Sequence, residues 1–400
     1  EKIIEIFNHQ VNHKYPTDTS TTYFDCTNFY FEIDKEDEFR KKGPSKENRH
    51  DPIVGLGLLL DANQIPIGMK LYPGNESEKP VIRDVISKLK ERNQISGKTV
   101  IVADKGLNCA ENIITALKNK NGYLFSKSVK QLPDTEKTWL LLKDGYKKVL
   151  DNQGKLLYLF KECIDEFPYT YTDKNGKKHT VRLREKRVVT YSPKLAEKKK
   201  HEIKKMVEKA KILKAYQAKK SEFGECSKYV VFCCTDEKGN AADGKVKAEI
   251  NQDAIKKDLM LAGYNLFVTS EIKMKAEDIY STYHNLWRIE ESFKVMKSYL
   301  DARPVYLQKT ASIHGHFLIC YITILLFRLL QFKVLNNKYC TENLINFIRE
   351  FRIVKMERNK YVNLLSYSNF IKNLAGDLKL PFLNYFLNDS QIKKMLNYKH

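Results

Sequence analysis

The segment IVGLGLLLDANQIPIGMKLYPG, residues 53–74, decides the fold class of this chain. Two apolar runs, 53–61 and 65–74, are joined by a short polar stretch, which predicts a β-hairpin. The aromatic run TTYFDCTNFYF at 21–31 predicts a strand before this hairpin, and residues 78–92 predict a helix after it.

The next part of the chain alternates between strand and helix signals. TVIVAD (99–104) predicts a short buried strand, 111–119 predicts a helix, and GYLFS (122–126) predicts another strand. Three strands, helix, strand, helix, strand is the order of a ribonuclease-H-like sheet. We therefore predict an α/β fold, with a mixed sheet flanked by helices and with catalytic groups at strand ends.

Residues 128–262 break this pattern. The turn sequences DNQGK, DKNGK and DEKGN flank alternating stretches such as 180–191, and this pattern is typical of a β-rich insertion. Within it, 193–220 predicts one long lysine-rich helix, which is either a solvated helix or a surface that binds backbone phosphates. The α/β pattern resumes with the strand-like YNLFVTS at 264–270.

These patterns divide the chain into five segments. They are a remnant of an N-terminal region or linker (1–19), the first part of the core (20–127), the insertion (128–262), the second part of the core (263–335) and a C-terminal helical region (336–400).

The composition favours a polyanionic partner. A formal net charge of +21 points first to nucleic acid and only second to an anionic membrane surface. The most apolar run, 317–327, is too short to span a bilayer and predicts a buried helix. The cysteines show no CxxC spacing, which argues against a zinc site or a secreted disulfide scaffold and favours a cytoplasmic protein.

Three carboxylates stand out by position. Asp25 interrupts a strand-like run, Asp104 ends the run VIVA, and Glu290 lies in a predicted helix at 283–298. A charged residue inside a strand is costly unless it is paired or holds a metal. The ordinary alternatives are a sheet-edge residue that faces water for Asp25, and a turn residue or helix cap for Asp104. Together the three predict a site for two Mg²⁺ ions, with Mn²⁺ as a substitute, suited to phosphoryl transfer.

The predicted helix YHNLWRIEESFKVMKS (283–298) carries further polar groups beside an apolar stripe. On a continuous helix four of them fall within about 60° of one another, namely Tyr283, Glu290, Lys294 and Lys297. The stripe consists of Leu286, Ile289, Phe293, Met296 and Leu300. Either Glu290 and Lys294 form an ordinary surface pair, or the glutamate binds metal and the lysines and tyrosine hold DNA phosphates.

The same helix resembles the Y-R-E-K signature of DDE transposases from bacterial insertion sequences. The resemblance extends over about 20–330, and its motifs are FDCTNFYFE (24–32), YPGNESEKP (72–80), VADKGL (102–107), WRIEESFKVMKS (287–298), RPVY (303–306) and HGHFLICYI (314–322). They resemble, in order, the first-aspartate block, the GN-x-S-E loop, the second-aspartate block, the glutamate block and the two segments that follow it. A β-rich insertion before the glutamate is also similar to the family.

This resemblance implies a ribonuclease-H-like core in which Asp25, Asp104 and Glu290 hold magnesium. It also implies that Tyr283, Lys294 and Lys297 contact DNA phosphates. The signature arginine falls on Leu286, which extends the apolar stripe. Either this phosphate contact is lost or Arg288 replaces it.

The implied activity is cleavage of transposon ends and transfer of the cut strands to target DNA, by a homodimer on DNA in the bacterial cytoplasm, associated with the nucleoid. Members of the family usually carry an N-terminal helical region that recognises the element ends, and this chain is expected to lack it. The alternatives are a nuclease without strand transfer, an inactive relative, and a basic DNA-binding protein without chemistry.

Overall fold

The computed structural model describes residues 2–47, 49–92, 95, 97–173, 175–216, 220–233, 247–356 and 359–398. The chain forms two compact units. The first unit comprises Glu1–Thr99 and Leu286–His400, and the second unit comprises Val100–Asn285.

The secondary structure of the first unit is mixed. Its helices are α1 (Lys2–Lys14) and α2 (Glu78–Glu91), and its strands are β1 (Thr21–Tyr30), β2 (Ile53–Leu60) and β3 (Pro66–Pro73). The second unit contains β4 (Val100–Ala103), α3 (Ala110–Lys118), β5 (Gly122–Lys127), α4 (Asp134–Leu141), β6 (Lys147–Leu150), β7 (Leu156–Thr172), β8 (Lys178–Tyr191), α5 (Pro193–Ala215), β9 (Val230–Cys233), β10 (Lys247–Ile250), α6 (Gln252–Met260), β11 (Tyr264–Thr269) and α7 (Ala276–His284). The chain returns to the first unit with α8 (Trp287–Lys294), α9 (Thr310–Arg328), α10 (Thr341–Glu350), β12 (Ile353–Lys355), β13 (Lys360–Asn363), α11 (Asn369–Leu378), β14 (Phe386–Asn388) and α12 (Asp389–Leu396).

In the first unit the strands β3, β2 and β1 are antiparallel neighbours in that order. Every residue of β2 is buried, which explains its continuous apolar sequence. The predicted hairpin is confirmed: at its turn the Asp61 carboxylate accepts a hydrogen bond from the Ile65 amide at 2.8 Å. The predicted succession of strands and helices from 21 to 127 is confirmed element by element, and with it the α/β fold class.

The apolar helix α9 belongs to the core of the first unit. By length and composition alone, Thr310–Val334 is apolar enough to cross a membrane, and half of its most apolar window is buried inside the protein. Phe317 packs against Phe29 of β1 with ring centroids 4.6 Å apart. The predicted helix is confirmed, but it extends well beyond the run 317–327 and is buried on one side only, since Ile319 and Leu326 are exposed.

The region 336–400, predicted to be helical, contains strands as well as helices. Besides α10, α11 and α12 it contains a small antiparallel sheet in the order β12, β13, β14. These strands are three or four residues long, so an alternating pattern is too short to be recognised in the sequence.

In the second unit a mixed sheet runs in the order β4, β5, β11, β8, β7, β6. Strands β4 and β5 are parallel, whereas β11 is antiparallel to both β5 and β8. The insertion is therefore β-rich as predicted, but its long strands extend the sheet beyond β11. The predicted turn DEKGN (236–240) lies outside the described residues, and the segment boundaries of the sequence analysis stay a prediction.

The lysine-rich helix is confirmed as α5, which begins at Pro193 and ends at Ala215. The Ser192 side chain caps its first turn by accepting a hydrogen bond from the Leu195 amide. One narrow face is buried, and it consists of Ala196, Ile203, Val207 and Ala210. Most of the lysines on the other faces are exposed, so both interpretations of this helix stay open.

The long strands of the second unit enclose a buried carboxylate. Glu185 is fully buried, and one of its oxygens accepts hydrogen bonds from the Tyr123 and Tyr169 hydroxyls at 2.7 and 2.6 Å. The other oxygen accepts from Arg187 Nε at 2.7 Å. A buried charge is tolerated when it is paired and hydrogen-bonded, which is the situation here.

Tyr169→Phe is expected to lower the free energy of unfolding by about 1.5–3 kcal/mol, because it removes one hydrogen bond to a buried charge. Urea denaturation of the whole chain measures this change. Tyr171→Phe is the matched control, since Tyr171 is partly exposed on the same strand and should change stability by less than about 0.5 kcal/mol. Equal stability of the two variants would show that the network does not stabilise the fold.

Candidate active site

Asp25 occupies the one partly exposed position in the middle of β1. Its neighbours on the strand, Phe24 and Cys26, are buried. The Asp25 side chain is 17% exposed, and its Oδ1 atom lies 3.8 Å from the Lys46 ammonium. Lys46 also lies 3.4 Å from an oxygen of Glu78, at the start of α2. Asp25 is thus a strand residue that contacts the Lys46 ammonium, and it does not simply face water.

The charge of Lys46 is maintained by these two carboxylates. Burial by itself lowers the pKa of Lys46, but Asp25 and Glu78 more than offset this and raise the pKa above its ordinary value. The side chain therefore stays protonated and positive between the two carboxylates.

Asp104 lies at the carboxyl end of β4, as predicted. Its Oδ1 atom accepts a hydrogen bond from the Gly106 amide at 2.7 Å, so the residue also stabilises the turn that follows the strand. Since Ala103 pairs with Phe125 on the parallel strand β5, the next step along β5 brings Ser126 level with Asp104.

Tyr283 lies at this same strand end. Its hydroxyl donates a hydrogen bond to Ser126 Oγ at 2.9 Å, and its ring packs against Phe267 at 4.6 Å. The second unit thus brings Asp104 and Tyr283 to the carboxyl ends of two neighbouring strands, where an α/β sheet carries its chemistry. The hydroxyl predicted to bind DNA is engaged with Ser126 in this structure.

The helix that carries Glu290 is not continuous, which corrects the sequence prediction. Helix α7 ends at His284 and α8 begins at Trp287, and the following residues Val295–Tyr299 form a π-helical turn. Tyr283 therefore belongs to a different helix from Glu290 and Lys294, and Lys297 belongs to the π-helical turn. Four residues of the predicted apolar stripe are buried, namely Leu286, Ile289, Phe293 and Met296, and the fifth, Leu300, is partly exposed.

The adjacent residues Glu290 and Glu291 have different surroundings. Glu290 is exposed in the first turn of α8 and makes no hydrogen bond or ion pair with the described residues. Its carboxylate lies more than 4.0 Å from the Lys294 ammonium, so the predicted surface pair between Glu290 and Lys294 is not formed. Lys294 is exposed one turn later. Both side chains are available to a ligand from solvent.

Glu291 is instead part of a buried network. It lies 3.2 Å from Arg328, whose side chain is 0% exposed, and 3.2 Å from Arg288. Thr341 donates a further hydrogen bond to it. Burial would raise the pKa of Glu291, but Arg328 and the hydrogen bonds lower it below its usual value.

Arg288 was the predicted replacement for the signature arginine, but its side chain contacts other residues of the protein. Its guanidinium pairs with Glu291 and lies 3.9 Å from the centre of the Trp287 ring. Leu286 is 8% exposed, which supports its assignment to packing. The geometry therefore gives no support to a DNA contact by Arg288.

Lys297, also predicted to bind phosphate, is held inside the first unit. Its side chain is 12% exposed, and its ammonium lies 3.1 Å from Glu47 and 5.4 Å from the centre of the Phe29 ring. Burial lowers the pKa of Lys297, and Glu47 partly offsets this effect. Arg303 pairs with the same Glu47 oxygen.

Four charged residues of this region were missed by the sequence analysis: Lys46, Glu47, Glu78 and Arg303. Two of them lie in quoted motifs, because Glu78 is the second glutamate of YPGNESEKP and Arg303 begins RPVY. Lys46 and Glu47 lie in a polar loop without any recognisable pattern. Only their contacts reveal them.

The residues around Asp25 have the donor chemistry that a divalent cation needs. Asp25 and Glu78 supply carboxylate oxygens, which hard cations prefer, and a cationic side chain already lies beside both. Among the described residues, however, no three His, Cys, Asp or Glu side chains are grouped so that they could hold a metal ion. The predicted ligand set of Asp25, Asp104 and Glu290 therefore stays a prediction.

Comparison with known proteins identifies the family. No curated protein matches the chain. Among solved structures it is similar to a piggyBac transposase in a synaptic complex with hairpin DNA, at 11% identity and a TM-score of 0.37, over 99% of this chain and 57% of that one. A family model described as the transposase DDE domain matches residues 17–326, a range that contains all three candidate carboxylates. The chain belongs to the family of transposases with a DDE domain.

Proposed function

We propose that this protein is the catalytic region of a DNA transposase that cleaves DNA strands and transfers them with the help of divalent metal ions. The observation that carries the proposal is the match to the DDE domain over 17–326. Asp25, Asp104 and Glu290 are the proposed metal ligands, and Mg²⁺ is the proposed ion, with Mn²⁺ as a substitute.

The proposed reaction is two in-line phosphoryl transfers. In the first, water attacks a backbone phosphorus, the bond to the 3′ oxygen breaks, and a 3′-hydroxyl and a 5′-phosphate result. In the second, this 3′-hydroxyl attacks a phosphorus of target DNA and displaces a new 3′ oxygen. Bound divalent ions would supply the charge stabilisation that both transfers need.

The polypeptide contributes position and charge. Glu290 is exposed and makes no hydrogen bond or ion pair with the described residues, so it is free to turn toward a ligand, whereas Glu291 is held by Arg288 and Arg328. Lys294, exposed one turn later, is the proposed contact to a backbone phosphate. The net charge of +21 supports binding to DNA through its backbone, which should weaken steeply as salt concentration rises. We further propose that the protein acts as a homodimer on DNA, in the bacterial cytoplasm near the nucleoid.

Strand joining tests this function against its rivals. The purified protein is incubated with a labelled duplex that ends in a 3′-hydroxyl and with a circular target, in the presence of Mg²⁺ or of a chelator. We expect metal-dependent nicking, and covalent attachment of the label to the circle. Both should disappear in the chelator.

The rival functions give different products. A ribonuclease-H-like nuclease would nick the circle in Mg²⁺ without attaching the label. A basic DNA-binding protein without chemistry, or an inactive relative, would bind DNA equally in Mg²⁺ and in the chelator and would leave both substrates intact. Either result would overturn the proposed strand transfer.

A further inference from the structure

The loop between β1 and β2 places two oppositely charged neighbours against two oppositely charged groups of the first unit. We call Lys46 and Glu47 the loop tip. Lys46 lies against the carboxylates of Asp25 and Glu78, at 3.8 and 3.4 Å. Glu47 lies against the cationic groups of Lys297 and Arg303.

The groups that hold Glu47 form an anion site. Lys297 and Arg303 direct an ammonium and a guanidinium at one oxygen of the carboxylate. The three side chains are 12%, 29% and 26% exposed, so the site is largely shielded from water. Two cationic donors on one partly desolvated oxygen bind much more strongly than a single surface ion pair.

The occupant of this site is a carboxylate, which has the charge and the acceptor oxygens of a phosphodiester. The two cations come from sequence positions about 250 residues beyond Glu47, so local chain geometry does not impose the contact. Lys297 lies three residues after the exposed Lys294, on the segment that also carries Glu290. The anion site therefore lies on the stretch of chain that the proposed function assigns to DNA contacts.

Lys46 fastens the loop tip in this position. It donates a hydrogen bond to the Cys26 carbonyl oxygen of β1, in addition to its two carboxylate contacts. Its ammonium thus occupies the surroundings of Asp25 in the way a bound cation would. The two halves of the loop tip hold each other in place, because Lys46 and Glu47 are adjacent in the chain.

We propose that Lys297 and Arg303 form a binding site for a backbone phosphate of DNA, and that the loop tip occupies this site until DNA displaces it. The identity of the ligand rests on the proposed function. A site that is mostly closed binds with an apparent affinity reduced by the fraction that is open. Variants that release the loop tip should therefore bind DNA more tightly than the wild type.

Lys46→Met gives the sharpest test, because it removes a positive charge and should still strengthen DNA binding. We expect the dissociation constant for a short duplex, measured by fluorescence anisotropy without divalent metal, to fall about tenfold. Lys42→Met is the control, since Lys42 is exposed in the same loop, and this variant should bind the same or more weakly. Weaker binding by Lys46→Met than by the wild type overturns the proposal.

Glu47→Gln tests the other half of the loop tip. It should also lower the dissociation constant about tenfold, whereas Glu38→Gln, the same charge change at an exposed position of the loop, should lower it less than about twofold. In an Arg303→Gln background the gain from Glu47→Gln should vanish. Equal affinities of the Glu47→Gln and Glu38→Gln variants, or an undiminished gain in the Arg303→Gln background, overturn the proposal.

These measurements are independent of the chemistry. A protein that fails to join strands would refute the proposed function, yet the loop-tip variants would still reveal a masked phosphate site through their affinities. An active protein whose loop-tip variants bind like their controls would keep its function and lose this inference.

Discussion

Glu290→Gln is expected to reduce metal-dependent DNA cleavage by about a thousandfold or more and to leave the fold intact. A carboxylate that holds a catalytic metal contributes several kcal/mol to charge stabilisation, and each ~1.4 kcal/mol is a factor of ten in rate. The Glu290 side chain is exposed and lacks a described partner, so the free energy of unfolding should change by less than about 0.5 kcal/mol.

Nicking of supercoiled DNA measures the loss, and thermal denaturation checks the fold. Glu342→Gln is the matched control, because Glu342 is also an exposed glutamate in the first turn of a helix, α10. It should cleave like the wild type. Asp104→Asn should behave like Glu290→Gln if both carboxylates serve one reaction. Cleavage by Glu290→Gln at the rate of the control would remove this residue from the proposed ligand set.

Glu291→Gln is expected to have the opposite result, with a loss of about 3–5 kcal/mol of stability. The substitution leaves the guanidinium of Arg328 buried without its carboxylate, since Arg328 is 0% exposed. Removing one partner of a buried ion pair is costly for this reason, whereas replacing both is often nearly neutral. The double variant Glu291→Gln with Arg328→Met should therefore recover part of the loss.

Denaturation by urea across a pH series separates this ion pair from general packing. The pKa of Glu291 is lowered in the folded protein, so its contribution to stability is complete above the ordinary glutamate pKa of about 4.3 and is lost as pH falls through the lower folded value. Glu291→Gln should lose less stability than Glu290→Gln over that acidic range. Parallel pH profiles of the two variants would contradict the assignment.

Local patterns were enough to predict most of the elements that position the candidate site. The apolar runs predicted β1, β2, β3 and β4, because the burial of a strand determines which of its residues are apolar. Asp25 and Asp104 stood out because they interrupt or end such runs. Helical periodicity likewise predicted the buried side of α8, including Leu286 and Ile289. The family motif points to Glu290, and in the structure the neighbouring Glu291 is instead engaged by Arg288 and Arg328.

The break between α7 and α8 was not predicted, since the sequence from His284 to Trp287 contains neither glycine nor proline. The attachment of β6, β7 and β8 to the sheet was not predicted either, because it depends on the pairing of β8 with β11, which are distant in sequence. Short strands such as β12 lacked enough residues to show a period.

The sequence by itself determined the order of strands and helices, the positive charge and the three candidate carboxylates, because each of these follows from residue types and their spacing along the chain. Only the tertiary structure decided which charges are engaged: Arg288 and Glu291 in a buried network, and Lys46 and Glu47 against Asp25 and Lys297. The reason is that an ion pair depends on distance in space. Except for Arg288 and Glu291, which are one helical turn apart, these partners are distant in the sequence, so no local pattern connects them.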